Sequence, residues 1–305
     1  MTTRGWARTL ERDVFGVRFQ NPVLLAAGTA GMGREVARVI DLDALGGLVT
    51  KSVSVEPRAG NPPPRVAEMR GAMLNSVGLA NPGLEAFQRE FLPWLAEHVR
   101  RARILVNVVG RTVEDFVAVV RALAGEAAIT AFELNVSCPN VKAGGVEFGA
   151  DEAVLADLVR RARDATDRAL VVKLSPVLPD HARTATVAAE AGADGFTAIN
   201  TLPSLLYYDG EPAPRLGNGT GGLSGPPLLP VGVRVTRIVA EATGKPVIGT
   251  GGIRTGADAL QYVTAGASLV GVGTAALADP RAPERIVREL AGLLRERSRA
   301  GMASR

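Results

Sequence analysis

Eight short runs rich in Val, Ile, Leu and Ala recur along this chain, separated by longer stretches with helical spacing. They are PVLLAAG (22–28), GLVTKSV (47–53), ILVNVVG (104–110), AFELNVS (131–137), LVVKLSP (170–176), GFTAINT (195–201), PVIGTGG (246–252) and LVGVGTA (269–275). Nearly continuous apolar runs of this length read as strands buried on both faces, the pattern of a parallel sheet covered by helices. Between them, 112–125 has Thr112 to cap its start and Gly125 to close it, and 255–266 has Thr255 and Gly266. The stretch 283–296 sets Ile286, Leu290, Leu293 and Leu294 on one face. Eight such units fill the chain without a linker or a shift in composition. They predict an α/β fold, a TIM (β/α)8 barrel, with residues 1–305 as one domain; a doubly wound open sheet is the alternative. DVFGVRF (13–19) alternates like a small hairpin and is expected to cap the end of the barrel away from the site.

Inserts break the rhythm after the second run (54–83) and the sixth (202–227), with a shorter one around Cys138 after the fourth. All leave the C-terminal ends of strands, where barrels of this kind keep their active sites. Polar residues gather at the same predicted rim: Lys51, Ser52, Asn107, Asn135, Cys138, Lys173, Asn200 and Thr201. A lysine or an asparagine in an apolar strand is unfavourable without partners, so their convergence points to a site. The last two strands end instead in GTGGI (249–253) and GVGTA (271–275), each leading towards a helix. Glycines let backbone N–H groups approach an anion, so a phosphate-bearing cofactor is expected there. Neither of these two turns has the GxGxxG dinucleotide spacing.

The 35 Lys and Arg against 31 Asp and Glu give a net charge of +4, but the arginines lie on helical segments mixed with acids. That reads as solvated helix faces and not as a nucleic-acid surface. A single cysteine excludes an intrachain disulfide and fits a reducing compartment. Neither a signal-peptide core nor an apolar run of about 18 residues is seen, so a cytoplasmic protein without a membrane span is expected. His98 and His181 have no His or Cys at ligand spacing; both are expected to be surface or helix-end residues, with no metal site.

Longer motifs carry a resemblance. They are NPVLLAAG (21–28), TKSVSVEPRAGNPPPR (50–65), LNSVGLANPG (74–83), ELNVSCPNVKAGG (133–145), VKLSP (172–176), FTAINTL (196–202), GGLSGP (221–226) and the stretch from PVIGTGGIRTGADA to VGVGTA (246–275). Together and in this order, they resemble the class 1 dihydroorotate dehydrogenases, FMN-dependent (β/α)8 barrels. The resemblance implies oxidation of dihydroorotate to orotate in pyrimidine synthesis. It makes Cys138 the general base that takes a proton from C5 of the substrate while hydride leaves C6 for the flavin. It makes Asn75, Asn135, Asn140 and Asn200, with Thr201, the clamp on orotate, and Asn135 also a flavin neighbour. Lys51 would lie near flavin and substrate, and Lys173 near flavin N1 and O2. Gly251, Gly252, Gly273 and Thr274 would hold the FMN phosphate; Ala27, Gly28, Ser52, Asn107 and Gly225 would lie along the flavin. Gly144 and Gly145 are expected hinges of the cysteine loop.

NVKAGG after SCPN, and INTL followed by GGLSGP, resemble the NAD-linked type, which pairs this barrel with an iron–sulfur, FAD-carrying subunit. A heterotetramer is then implied, whereas the fumarate-linked type implies a homodimer. The segment PSLLYYDGEPAP (203–214) departs from the NAD-linked pattern by being apolar and aromatic. Leu205, Leu206, Tyr207 and Tyr208 could form a subunit contact or pack back on the barrel. The same motifs leave room for a dihydropyrimidine dehydrogenase-like flavoprotein and for a non-catalytic flavin-binding subunit.

Overall fold

The computed structural model describes residues 10–137, 139–140 and 146–303. In chain order the strands are β1 (Arg12–Val14), β2 (Val17–Phe19), β3 (Val23–Leu25), β4 (Gly47–Val49), β5 (Val66–Met69), β6 (Ala72–Asn75), β7 (Arg103–Val108) and β8 (Ile129–Asn135). They continue as β9 (Pro139–Asn140), β10 (Val146–Glu147), β11 (Ala169–Leu174), β12 (Gly195–Ala198), β13 (Leu202–Leu205), β14 (Thr220–Ser224), β15 (Val247–Thr250) and β16 (Leu269–Val272). Eight of them close a barrel in the order β11-β12-β15-β16-β3-β4-β7-β8, with every pair parallel. These are the eight apolar runs. Several strands are shorter than their runs because the run ends, such as Ala27–Gly28 and Lys51–Ser52, leave the sheet as rim loops.

Helices pack outside the sheet, and their ends follow from local chemistry. Thr112 Oγ1 accepts from Asp115 N while the Asp115 carboxylate accepts from Thr112 N, a reciprocal cap on the helix Val113–Leu123. Thr255 and Asp258 do the same for Gly256–Thr264. The last helix, Ala282–Ala303, outruns the expected 283–296 but buries Ile286 and Leu290 as its spacing requires.

The barrel interior is layered by the two-residue period of its strands. The lower layer is apolar: Leu24, Val49, Leu105, Ala131, Val171, Ile248 and Leu269 are all buried. The β1–β2 hairpin closes this end with Val14 and Phe19, as its alternation predicts. On β12 the lower layer is filled from outside the strand. Gly195 has no side chain, and a Cβ there would stand 2.7 Å from the ring of Phe15 at the hairpin tip.

The inserts after β4 and β12 meet over the other end. Their hairpins form one antiparallel sheet in the order β13-β14-β6-β5, with Gly222 opposite Asn75 and Leu223 opposite Leu74. Beneath it Ala67, Leu74 and Leu216 form a small cluster joined by Leu206 and Leu223. The shorter insert after β8 begins and ends in the pair β9–β10, with Asn140 opposite Val146.

Candidate active site

Two residues along from the apolar layer, the same strands turn polar. Val49 is followed by Lys51, Leu105 by Asn107, Ala131 by Glu133, Val171 by Lys173, Gly195 by Thr197 and Ile248 by Thr250. Four of them, Asn107, Glu133, Lys173 and Thr197, interlock with one another and with Ser52. Ser52 Oγ donates to Asn107 Oδ1 at 2.6 Å, and Asn107 Nδ2 donates to Glu133 Oε1 at 2.7 Å. From the opposite side Thr197 Oγ1 donates to Glu133 Oε2 at 2.6 Å, and Lys173 Nζ stands 3.7 Å from Oε1. Asn107, Glu133, Lys173 and Thr197 are all buried, so the ion pair is tolerated because hydrogen bonds satisfy it.

One step higher lies the rim. Asn135 ends β8, and Asn200 Nδ2 donates to its Oδ1 at 3.4 Å. Asn200 Oδ1 accepts from Thr201 N at 2.8 Å, which leaves the Asn135 carboxamide nitrogen to donate elsewhere. Asn75, on β6, donates to Gly222 O at 3.3 Å. Gly222 in turn packs on the Thr201 side chain, so the insert sheet and the Asn200–Thr201 turn form one wall. Lys51 is half-buried, its backbone N–H held by Gly31 O at 2.8 Å.

On the far side of the mouth, Gly251 (φ +119°) and Gly252 (φ +73°) leave β15 in a backbone conformation that side chains disfavour. Tyr262 Oη anchors this turn by donating to Gly251 O at 2.7 Å. Burial pushes the Tyr262 phenol well above its ordinary value, which keeps it a donor. Gly273 and Thr274 follow β16, and Thr274 Oγ1 donates to Ser224 Oγ at 2.8 Å, bringing the Ser224–Gly225 turn alongside. Among the described residues nothing accepts from the backbone N–H groups of Gly251, Gly252, Gly273 or Thr274. Such a set of unclaimed donors, lined by glycine, fits a phosphate.

The sequence-predicted residues therefore fall into three neighbouring groups. Lys173, Asn107 and Ser52 join the interior network. Asn75, Asn135, Asn200 and Thr201 form the wall. Gly225, Gly251, Gly252, Gly273 and Thr274 form the cradle, while Ala27 and Gly28 leave β3 at the rim. Cys138, Gly144 and Gly145 lie outside the described residues, as does the side chain of Asn140.

Glu133, Thr197 and Ser224 are additions that sequence reasoning passed over. The signal for Glu133 was present: an acid between Phe132 and Leu134, two residues before Asn135 and on the same face. His181 meets the helix-end half of its expectation and not the surface half. It does start a helix, but it is buried, with Nε2 3.0 Å from Ser175 O, whereas His98 is exposed at a helix end and stacked on Trp94. Burial, aided by Arg234, lowers the His181 pKa from its ordinary 6.5 against the opposing pull of Ser175 O and Asp180. Glu147, which follows the cysteine loop, is shifted upward by burial although a hydrogen bond with Ser175 opposes this.

In the segment 203–214, one residue packs back as one of the two expectations had it. Leu206 packs back against the cluster beneath the insert sheet, while Leu205, Tyr207 and Tyr208 stay 44%, 50% and 43% exposed. Among the described residues no helix is long and apolar enough to cross a membrane.

Comparison with known proteins shows the family. The sequence model of the family described as "Dihydroorotate dehydrogenase" matches residues 9–294. The chain is 45% identical over 287 residues to "Dihydroorotate dehydrogenase B (NAD(+)), catalytic subunit" of Cutibacterium acnes (strain DSM 16379 / KPA171202), covering 94% of each chain. It is 44% identical over 286 residues to the protein of the same name from Alkaliphilus metalliredigens (strain QYMF), again covering 94% of each. A protein of Solibacter usitatus (strain Ellin6076), provisionally named dihydroorotate dehydrogenase A (fumarate), is 47% identical over 285 residues and 93% of each chain.

Proposed function

The chain belongs to the dihydroorotate dehydrogenase family and is an oxidoreductase; from that premise we propose that it oxidises (S)-dihydroorotate to orotate with FMN, in pyrimidine synthesis. What supports the reading is one convergence: the unclaimed amides of the β15 and β16 turns and the Asn135–Asn200 pair lie at one end of the barrel, with the buried Lys173 beneath them. Gly251, Gly252, Gly273 and Thr274 would hold the phosphate, with Ser224 positioning the Thr274 hydroxyl. Bound FMN supplies the acceptor for the hydride that leaves C6.

The residues of the chain do the rest. The carboxamides of Asn75, Asn135 and Asn200 each offer a donor and an acceptor, which suits the imide edge and the carboxylate of the substrate. Lys51 and Lys173 bring positive charge to the floor of the site. The Cys138 thiolate takes the proton from C5. An ordinary thiol has a pKa of about 8.5, so oxidation should accelerate as pH rises towards the value of this thiol.

The decisive experiment is an anaerobic titration of the purified chain with dihydroorotate, following visible flavin absorbance. Bleaching is the expected outcome. A yellow protein that stays yellow would move the reading to another pyrimidine or to a non-catalytic flavin-binding subunit. A colourless protein that cannot be reconstituted with FMN would undo the cradle as well.

For the final acceptor we propose NAD, through an iron–sulfur, FAD-carrying subunit. The exposed Leu205, Tyr207 and Tyr208 beside the mouth suit a subunit contact. The Solibacter relative favours the fumarate-linked alternative. Return of colour on adding fumarate to the reduced, isolated chain would establish that alternative.

A further inference from the structure

Glu133 lies one layer beneath the rim and is 1% exposed, and the mechanism above gives it no part. A buried carboxylate is costly, and replacing a buried ion pair by apolar side chains is often neutral or stabilising. The layer immediately below shows that these strands accept an apolar filling. The Glu133–Lys173 pair is thus unlike what packing alone would select.

Its geometry is specific. Asn107 holds Oε1 and Thr197 holds Oε2, so both carboxylate oxygens are fixed from different strands. Held there, the carboxylate stands 3.7 Å from Lys173 Nζ, beyond a good hydrogen bond but well within strong electrostatic reach. Among the described residues no hydrogen bond claims the Lys173 ammonium, so its donors remain available to a group bound above.

We infer that Glu133 is a positioning residue: fixed by Asn107 and Thr197, it holds the Lys173 ammonium and offsets part of its charge, and so lowers the reduction potential of the bound flavin. The inference rests on the FMN reading. A flavin gains negative charge on reduction, which a neighbouring cation favours and a buried anion opposes.

The test is the midpoint potential of the bound flavin, measured by dye-coupled reduction without any dihydroorotate. Glu133→Gln keeps the shape, an acceptor for Asn107 and a donor that the Thr197 hydroxyl can accept, but removes the charge, and should shift the potential upward. Glu133→Asp keeps the charge but draws it back from Lys173, and should give a smaller upward shift. Thr197→Val keeps the charge in place and loses one clamp, and should not reproduce the shift of Glu133→Gln. An unchanged or lowered potential in Glu133→Gln would overturn the inference, as would an equal rise in Thr197→Val. Should Glu133→Gln fail to hold flavin, Glu133→Asp decides: an upward shift supports the inference and an unchanged potential overturns it. A parent chain that takes up no flavin overturns the FMN reading and this inference together. A parent that binds flavin without being bleached by dihydroorotate loses only its substrate assignment, and the potentials still decide.

Discussion

Inside the barrel, two adjacent layers taken from the same strands follow opposite rules. At the hairpin end, Leu24, Val49, Leu105, Val171, Ile248 and Leu269 fill space and need nothing but shape. Two residues further along, Asn107, Glu133, Lys173 and Thr197 are just as buried, yet each depends on a partner on another strand. The difference teaches where this chain keeps stability and where it keeps chemistry. The lower layer and the larger apolar cluster between sheet and helices hold the fold. The upper layer gives up apolar burial for a network of hydrogen bonds around a buried ion pair.

That division can be broken experimentally. The largest effect is expected at the rim: Cys138→Ala should slow dihydroorotate oxidation by roughly 10²–10⁴-fold, the usual reach of a general base. Flavin content and thermal stability should hold, and a variant oxidising at the parent rate would remove Cys138 from its role. Leu105→Ala, in the lower layer, should cost about 2–5 kcal/mol in denaturant unfolding. The flavin spectrum of its folded fraction should stay that of the parent; an altered spectrum would mean the layers are coupled. Asn107→Ala removes a donor from the buried Glu133 carboxylate and should cost about 1–3 kcal/mol. Unlike Leu105→Ala it should also weaken flavin binding in an FMN titration, and intact binding would place Asn107 with the structural layer.

The smallest effect concerns His181, outside the barrel mouth. Its folded-state pKa lies below 6.5 because burial disfavours the imidazolium. The unfolded chain therefore takes up this proton at a higher pH than the folded one. The stability it contributes is present above about pH 6.5 and is lost as pH falls through the depressed value. Unfolding curves at pH 7.5 and 5.5 should show a larger drop in the parent than in His181→Gln; equal drops would remove the linkage.

Much of this was legible in the sequence for an identifiable reason. The barrel strands are apolar on both faces, and Thr112 and Thr255 announce helix starts through side chains within three residues of their partners. What escaped depends on partners distant in the chain. Glu133 could be seen as an acid in an apolar run, but its bonds to Asn107 and Thr197 come from β7 and β12. The sheet joining the two inserts was hidden because AMLN and TGGLS are short and the second carries two glycines, with little intrinsic strand signal. His181 is the helix start it looked like, but its burial is set by how that helix packs and not by its own neighbours in sequence. The rim asparagines were legible mainly as motifs: their individual side chains resemble any loop asparagine, and only the fold brings Asn135 to Asn200.

The insert sheet bears on how the protein comes to be active. Asn75 and its partner Gly222 are 147 residues apart, and the barrel strands β7, β8, β11 and β12 lie between them in the chain. Closing so long a loop is entropically slow unless intervening structure already brings its ends together. The wall built on this sheet is therefore expected to assemble after the barrel. Pulse-labelled hydrogen exchange during refolding should protect amides of β7 and β8 before those of β6 and β14. A newly made chain would then pass through a stage in which it is folded at its floor and still open at its mouth, able to receive the cofactor before it can hold the substrate.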